Sequence, residues 1–308
     1  MNLPCFYSPK YTSTEAATLA ELATAADRIS TIPGVDLQTP KPIEIDLLQG
    51  LHSDNYLHDF LEGREPLASS QGIKWSPNIR DAVLAMLGGQ LEGAEAAFQH
   101  GIAMNIARGF HHAVYERGSG YCAINGLALI AHRYPHKRIA VLDCDEHGGN
   151  GTEEFTARLP NLFNISIFGT RFGCRGSARS WALKVLAQEA GFDIYISALR
   201  AAEDLISDLN PDILLYQAGT DCHHEDPKNR SGLTTEELYL RDQFVFTLAR
   251  QRRIPILFIV AGGYQSPENI AKLNVNTVHA ALSVFCGAES VSTADFYTLF
   301  TKQKITTP

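Results

Sequence analysis

Short runs of Val, Ile and Leu alternate along the chain with longer stretches in which apolar residues recur every three or four positions. Arg138–Asp143 (RIAVLD), Leu162–Phe168 (LFNISIF), Asp212–Tyr216 (DILLY) and Ile254–Ala261 (IPILFIVA) are continuous apolar runs, not alternating ones. A strand that is apolar on both faces belongs in a sheet covered on both sides, as a parallel sheet is. Ser177–Ala190 (SARSWALKVLAQEA) reads as helical, with Trp181, Ala182, Val185 and Leu186 on one side. Thr235–Arg252 opens behind a capping box, Thr234 with Glu237. Ser266 and Pro267 supply the N-cap and first position of a further helix running to about Phe285. Strand alternating with helix predicts an α/β fold with a largely parallel sheet. Residues 61–79 are the least periodic internal stretch and are expected to form a long surface loop. No linker, charge block or repeat divides the sequence, so one domain over residues 1–308 is expected, with a flexible tail from about residue 297.

Composition narrows the function. The chain has 308 residues, 45% of them hydrophobic, and can bury a substantial core. Lys and Arg total 26 against 34 Asp and Glu, a formal net charge of −8, which excludes a protein that binds by coating phosphates; no direct nucleic-acid binding is expected. The six cysteines form no CxxC pair, so neither a thiolate zinc site nor a disulfide scaffold is indicated, and a reduced, intracellular protein is the simplest reading. The N-terminus has no basic region followed by an apolar run, and no segment approaches the ~20 apolar residues that span a bilayer. A soluble, cytoplasmic protein without membrane attachment is expected; composition does not fix its oligomeric state.

The chemistry gathers behind the apolar runs. Open parallel sheets place their sites at the carboxyl ends of strands. RIAVL is followed by Asp143-Cys-Asp145-Glu-His147-Gly-Gly-Asn150-Gly, DILLYQAG by Thr220-Asp221, and ILFIVA by Gly262-Gly263-Tyr264, while Gly109-Phe-His111-His112-Ala follows the apolar stretch Ile102–Ala107. Residues two apart at a strand end project to the same side, so Asp145 and His147 can grip one ion, with Asp221 arriving from a neighbouring strand. Two carboxylates and an imidazole suit Zn²⁺, and would also hold Fe²⁺. Taken singly, strand-end aspartates usually cap the next turn, and histidines in a glycine-containing loop usually satisfy backbone groups. Together they make a candidate site for amide hydrolysis: an ion to polarise the carbonyl, the His111-His112 pair to move protons, and Tyr264 to donate to a developing oxyanion.

With these residues in place, the sequence resembles the zinc-dependent histone deacetylase family, which includes the acetylpolyamine amidohydrolases and related bacterial deacylases. The resemblance rests on Gly109-Phe-His111-His112-Ala, Gly118-Ser-Gly120-Tyr121-Cys122-Ala-Ile-Asn125, the Asp143 to Thr152 segment, Tyr216-Gln-Ala-Gly-Thr-Asp221 and Gly262-Gly263-Tyr264, in the family's order. Gly120-Tyr-Cys-Ala, Asn150, Arg241-Asp242 and Arg252-Arg253-Ile-Pro-Ile-Leu make it most similar to the class IV branch. It implies the arginase/deacetylase fold, with a central, mainly parallel eight-stranded sheet. It also implies zinc on Asp145, His147 and Asp221, His112 as general base with the general-acid role as a further option, His111 as its electrostatic partner held by Asp143, and Tyr264 on the polarised carbonyl. Gly120, Tyr121 and Leu233 would line the acyl channel, with Phe172 as a candidate second aromatic. Asp143 and Ser166, with backbone carbonyls of Asp145 and His147, resemble the family's monovalent-cation site, usually occupied by K⁺.

The chain departs from the family pattern in places. Gly148 stands where many members carry a second His, Ala261 replaces a Gly, and Asn150 replaces the Asp that class I members place beside the second dyad histidine. An amide cannot stabilise an imidazolium as a carboxylate does. The expected activity is release of an acyl group from an Nε-acyl-lysine side chain or a related acylated amine, with long-chain acyl groups favoured by the class IV likeness and an acylpolyamine substrate as the alternative. Two rivals rank lower. A binuclear ureohydrolase would need a further carboxylate where Gly149 stands, and a non-catalytic acyl-amine-binding protein has no reason to retain ligands, dyad and Tyr264 together.

Overall fold

The four apolar runs become central strands of one sheet. In the computed structural model, which describes residues 2–186 and 191–287, the strands are β1 (Leu3–Phe6), β2 (Val35–Gln38), β3 (Ile102–Asn105), β4 (Ile139–Asp143), β5 (Leu162–Phe168), β6 (Ser180–Lys184), β7 (Ile213–Gln217) and β8 (Ile256–Ile259). They form an eight-stranded sheet in the order β2-β1-β3-β8-β7-β4-β5-β6. Every strand pair is parallel. β3, β4, β7 and β8 are buried along their whole length, as their continuous apolar character requires. The architecture is the arginase/deacetylase fold, with helices flanking the sheet.

Register sets the site. Asp143 of β4 stands opposite Gln217 of β7 and Ser166 of β5, Gln217 stands opposite Ile259 of β8, and Ile259 opposite Asn105 of β3. The four central strands therefore end level, and the segments that follow them emerge side by side at one edge.

The helical stretch expected at Ser177–Ala190 is corrected: Ser180–Lys184 is the edge strand β6, paired with β5, and residues 187–190 lie outside the described region. Trp181, Leu183 and Val185 follow a period of two just as Trp181, Ala182, Val185 and Leu186 follow a helical one, and the open edge of β5 decides between them. Trp181 pairs with Ile165 and Leu183 with Ile167. The helices Thr235–Arg252 and Pro267–Cys286 form where their caps place them; Thr234 and Glu237 make the reciprocal capping box, and the Ser266 side chain accepts from the Asn269 N–H. The 61–79 loop is shorter than expected. The Asp54–Glu62 helix runs into it, and Pro77 opens a helix that continues to His100 behind the Ser76 cap. The tail expected from residue 297 falls outside the described residues. Among the described residues, no helix is long and apolar enough to cross a membrane.

A buried ion pair ties the helical layer to the strand ends. Arg241 and Asp242 of the Thr235–Arg252 helix are 0% and 1% exposed. Arg241 Nη1 donates to the carbonyls of Gly219 (2.8 Å) and Cys144 (3.3 Å), behind β7 and β4. The Asp242 carboxylate accepts from the hydroxyls of Tyr216 (2.5 Å) and Thr277 (2.6 Å). Removing one member of such a pair leaves an uncompensated buried charge. Asp242→Ala is therefore expected to destabilise the fold by about 3–5 kcal/mol in urea unfolding; a loss below about 1 kcal/mol, the worth of an exposed pair, would show that the pair is not what holds these layers.

Candidate metal centre and active site

Three side chains converge just beyond β4 and β7. One ligand atom from each of Asp145, His147 and Asp221 lies within 4.8 Å of the others. His147 Nδ1 is 3.3 Å from Asp145 Oδ1 and 3.1 Å from Asp221 Oδ2. Backbone amides aim the carboxylates. Asp145 Oδ1 accepts from the His147 N–H (3.0 Å), Asp145 Oδ2 from the Gly262 N–H (2.9 Å), and Asp221 Oδ1 from the Glu146 N–H (2.9 Å). Hydrogen-bonded carboxylates of this kind are how metal ligands are oriented from behind.

The electrostatics fit a cation. Burial opposes charge on His147, but hydrogen bonds and charge from Asp145 and Asp221 outweigh it and lift the imidazole to about 11. Burial and the neighbouring Asp145 push Asp221 up to about 7, whereas Asp145, against the same burial, is held below the usual carboxylate range by His111 and His147. Two adjacent buried carboxylates cannot both ionise comfortably without a positive charge between them, and a divalent ion supplies it. The donor set fits Zn²⁺ or Fe²⁺ chemically.

The histidine pair sits alongside, its rings 3.9 Å apart. His111 Nδ1 donates to Asp143 Oδ2 at 2.7 Å. Burial works against its imidazolium, yet Asp143 and Asp145 prevail and raise it to about 9. Burial, followed by the charge on His111, drives His112 the other way, well below the ordinary histidine value. His112 Nδ1 donates to the Asn150 amide oxygen at 2.8 Å, which fixes the tautomer and leaves Nε2 unprotonated. The two environments push the histidines apart, one cationic and one neutral, the arrangement by which a site divides acid and base roles.

The remaining candidates fall into place unevenly. Tyr264 follows the Gly262-Gly263 turn behind β8 with its ring 6.0 Å from that of His147; burial, reinforced by Asp145 and Asp221, raises its phenol and keeps it protonated. Gly120, Tyr121 and Tyr264 line a narrow cavity together with both histidines and Asp145. Phe172 stacks on His112 at 3.9 Å and 30°, and with Tyr121 is among the few large apolar side chains left exposed. Leu233 is 1% exposed and stands apart from that lining, its backbone bonded to Cys222 and His224 in the loop behind Asp221. Ser166 Oγ accepts from the Gly149 N–H at 3.1 Å, beside Asp143. A Cβ on Gly149 would lie 2.3 Å from Asp143 Oδ2, so no further carboxylate fits there. His52 is buried, its Nδ1 against the Val114 carbonyl (3.0 Å) and its Nε2 accepting from the Asn125 N–H (3.1 Å), a structural placement.

Sequence reasoning missed two supports. Asp226 Oδ2 accepts the Tyr264 N–H at 2.7 Å and so anchors the tyrosine loop; its place after Asp221 offered the only hint. Glu146, between two ligand-bearing residues, is buried and accepts from Ser231 Oγ (2.7 Å) and Thr170 Oγ1 (3.1 Å), joining three loops. Gly262 is required by contact: an added Cβ would lie 2.5 Å from both Asp145 Oδ2 and Asp221 Oδ2. Gly262→Ala is expected to weaken zinc binding by about 10- to 100-fold, the usual cost of disturbing the support of metal ligands. Competition against a chromophoric chelator measures it, and unchanged affinity would place the ion elsewhere.

Comparison with known proteins agrees with this geometry. The sequence pattern of the histone deacetylase domain matches residues 12–281. Histone deacetylase 2 of Arabidopsis thaliana is 30% identical over 246 residues, covering 73% of this chain and 62% of that protein. The acetylpolyamine amidohydrolase of Mycoplana ramosa is 26% identical over 211 residues, 63% of this chain and 61% of that one. The chain thus spans about three fifths of the length of these two relatives. In three dimensions, the acetylpolyamine aminohydrolase of Burkholderia pseudomallei superposes with a TM-score of 0.77 at 18% identity, over 92% of this chain and 99% of that one, which shows the shared fold. The sheet, the converging ligand set and the matched domain lead to one assignment: the chain belongs to the histone deacetylase family.

Proposed function

We propose that the protein hydrolyses the amide of an acylated amine through a single divalent cation, zinc with Fe²⁺ as the alternative, held by Asp145, His147 and Asp221. The convergence of these three donors carries the reading. Bound there, the cation would polarise the amide carbonyl and acidify a water. His112, neutral and oriented by Asn150, takes the proton of the attacking water at Nε2. The water oxygen adds to the carbonyl carbon, and the Tyr264 hydroxyl donates to the oxyanion that forms. His111, kept cationic by Asp143, is the histidine charged to return a proton to the nitrogen as the C–N bond breaks, giving a carboxylate and a free amine.

An acylated polyamine takes first place as substrate, because the relatives from Mycoplana ramosa and Burkholderia pseudomallei carry that name. This reverses the order reached from sequence alone. An acyl-lysine side chain is the second reading, favoured by the Arabidopsis thaliana histone deacetylase. Asn150 and Tyr121 support a class IV-like placement within the family. Asp143 and Ser166, side by side in register, are proposed to hold K⁺ with the carbonyls of Asp145 and His147. Six cysteines outside any disulfide suit a cytoplasmic setting.

Acetylated polyamine and acetyl-lysine peptide, each assayed with and without a chelator, test the proposal. Hydrolysis that disappears on chelation and returns with zinc is expected, and chelator-insensitive turnover would remove the metal mechanism. Tyr264→Phe should retain metal and fold while kcat falls by about 100-fold, as loss of an oxyanion donor does; undiminished turnover would remove the tyrosine from the reaction.

A further inference from the structure

The lining of the cavity beside the candidate metal centre runs from an exposed end to a buried one. At the exposed end stand Tyr121, 46% exposed, and Gly120. At the other end the lining is Thr18, Arg108 and Gln217. Arg108 is ion-paired with Glu21, their side chains 11% and 8% exposed, and its Nε and Nη2 donate to the Thr18 carbonyl at 3.1 and 2.8 Å. Thr18 and Glu21 come from the N-terminal helical segment, with Thr18 in the Ala17–Ala20 helix and Glu21 at its junction with the Leu22–Ser30 helix. That segment therefore meets the buried end of the cavity with a charged, hydrogen-bonded floor. Gln217 is 2% exposed, and its Oε1 has no hydrogen-bond partner. The cavity is small, about 40 Å³.

An amine substrate has a fixed polarity in such a cavity. Its amine side, attached to the bulk of the molecule, must leave through the exposed end, so the acyl group points at the floor. A long hydrocarbon chain there would have to displace the Arg108–Glu21 pair and leave the Thr18 carbonyl without its donors, a cost that apolar burial does not repay. A short acyl group leaves the floor intact.

Resting on the proposed amide hydrolysis, we infer that Arg108, Glu21 and Gln217 limit the acyl group to a short one, acetyl or close to it, and reject fatty acyl chains. This goes against the long-chain preference suggested by the class IV likeness. The selectivity belongs to this chain's own residues. Arg108 directly precedes the Gly-Phe-His-His motif, and its partner Glu21 arrives from the far N-terminal segment.

A panel of one amine acylated with acetyl, butyryl and octanoyl groups tests the inference on the full-length, zinc-loaded protein. The wild type is expected to favour acetyl over octanoyl by about 100-fold or more in kcat/KM, the scale on which a pocket rejects excess methylene groups. The double variant Arg108→Ala/Glu21→Ala removes both charges together, avoiding a stranded buried ion, and enlarges the cavity. Its octanoyl-to-acetyl ratio should rise by about 10-fold or more. If that variant does not fold, Arg108→Met/Glu21→Leu keeps more of the volume and should shift the ratio in the same direction. Octanoyl hydrolysis by the wild type equal to that of acetyl would overturn the inference and leave the hydrolase reading standing. Absence of turnover on every member of the panel would overturn the hydrolase reading and the inference with it.

Discussion

Two carboxylates buried against each other impose the constraint on which the rest of the site depends. Asp145 and Asp221 stand at the ends of different strands, 3% and 0% exposed, and each is aimed by backbone amides that leave no freedom to swing apart. Like charges so placed need a cation between them. His147 meets that need in part, its Nδ1 turned toward both, and a divalent ion would meet it fully. The neighbouring groups respond to the same field. Asp143 and Asp145 raise His111, burial and then the charge on His111 lower His112, and burial reinforced by the carboxylates raises the phenol of Tyr264. The division of labour in the site follows from one electrostatic arrangement.

The sheet makes that arrangement possible. Parallel strands in level register bring the segments behind β3, β4, β7 and β8 to a common edge, so residues distant in sequence meet without a long excursion of the chain. The helical layer locks the edge from behind, with the buried Arg241 guanidinium spanning the carbonyls that precede Asp145 and Asp221. The N-terminal segment meets the cavity at its buried end. Stability and the selectivity inferred above rest on separate buried polar pairs, Arg241–Asp242 and Arg108–Glu21, each costly to assemble and harmful to break singly.

Much of this was legible in the sequence, for physical reasons. Continuous apolar runs announce central parallel strands, and the residues directly after them make up the candidate site, so Asp145, His147, Asp221, His111, His112 and Tyr264 could all be named in advance as candidates. β6 could not, because Trp181-Ala-Leu-Lys carries both periodicities and only the edge of β5 selects between them. β1 and β2, each of 4 residues, are too short to stand out. Leu233 carried a channel role by resemblance and instead lies buried in the supporting loop. The Arg108 floor was illegible for another reason: an arginine ahead of a glycine reads as a solvated charge, and the carbonyl that holds it belongs to a residue 90 positions earlier.

The most direct test is a crystal structure of zinc-soaked protein with anomalous scattering recorded at the zinc edge. The account predicts one ion at the centre, coordinated by His147 Nδ1 and by Asp145 and Asp221 oxygens at about 2.0–2.2 Å, with His112 and Tyr264 facing the open coordination position. Two ions in the centre, or an ion bound away from these three residues, would contradict it.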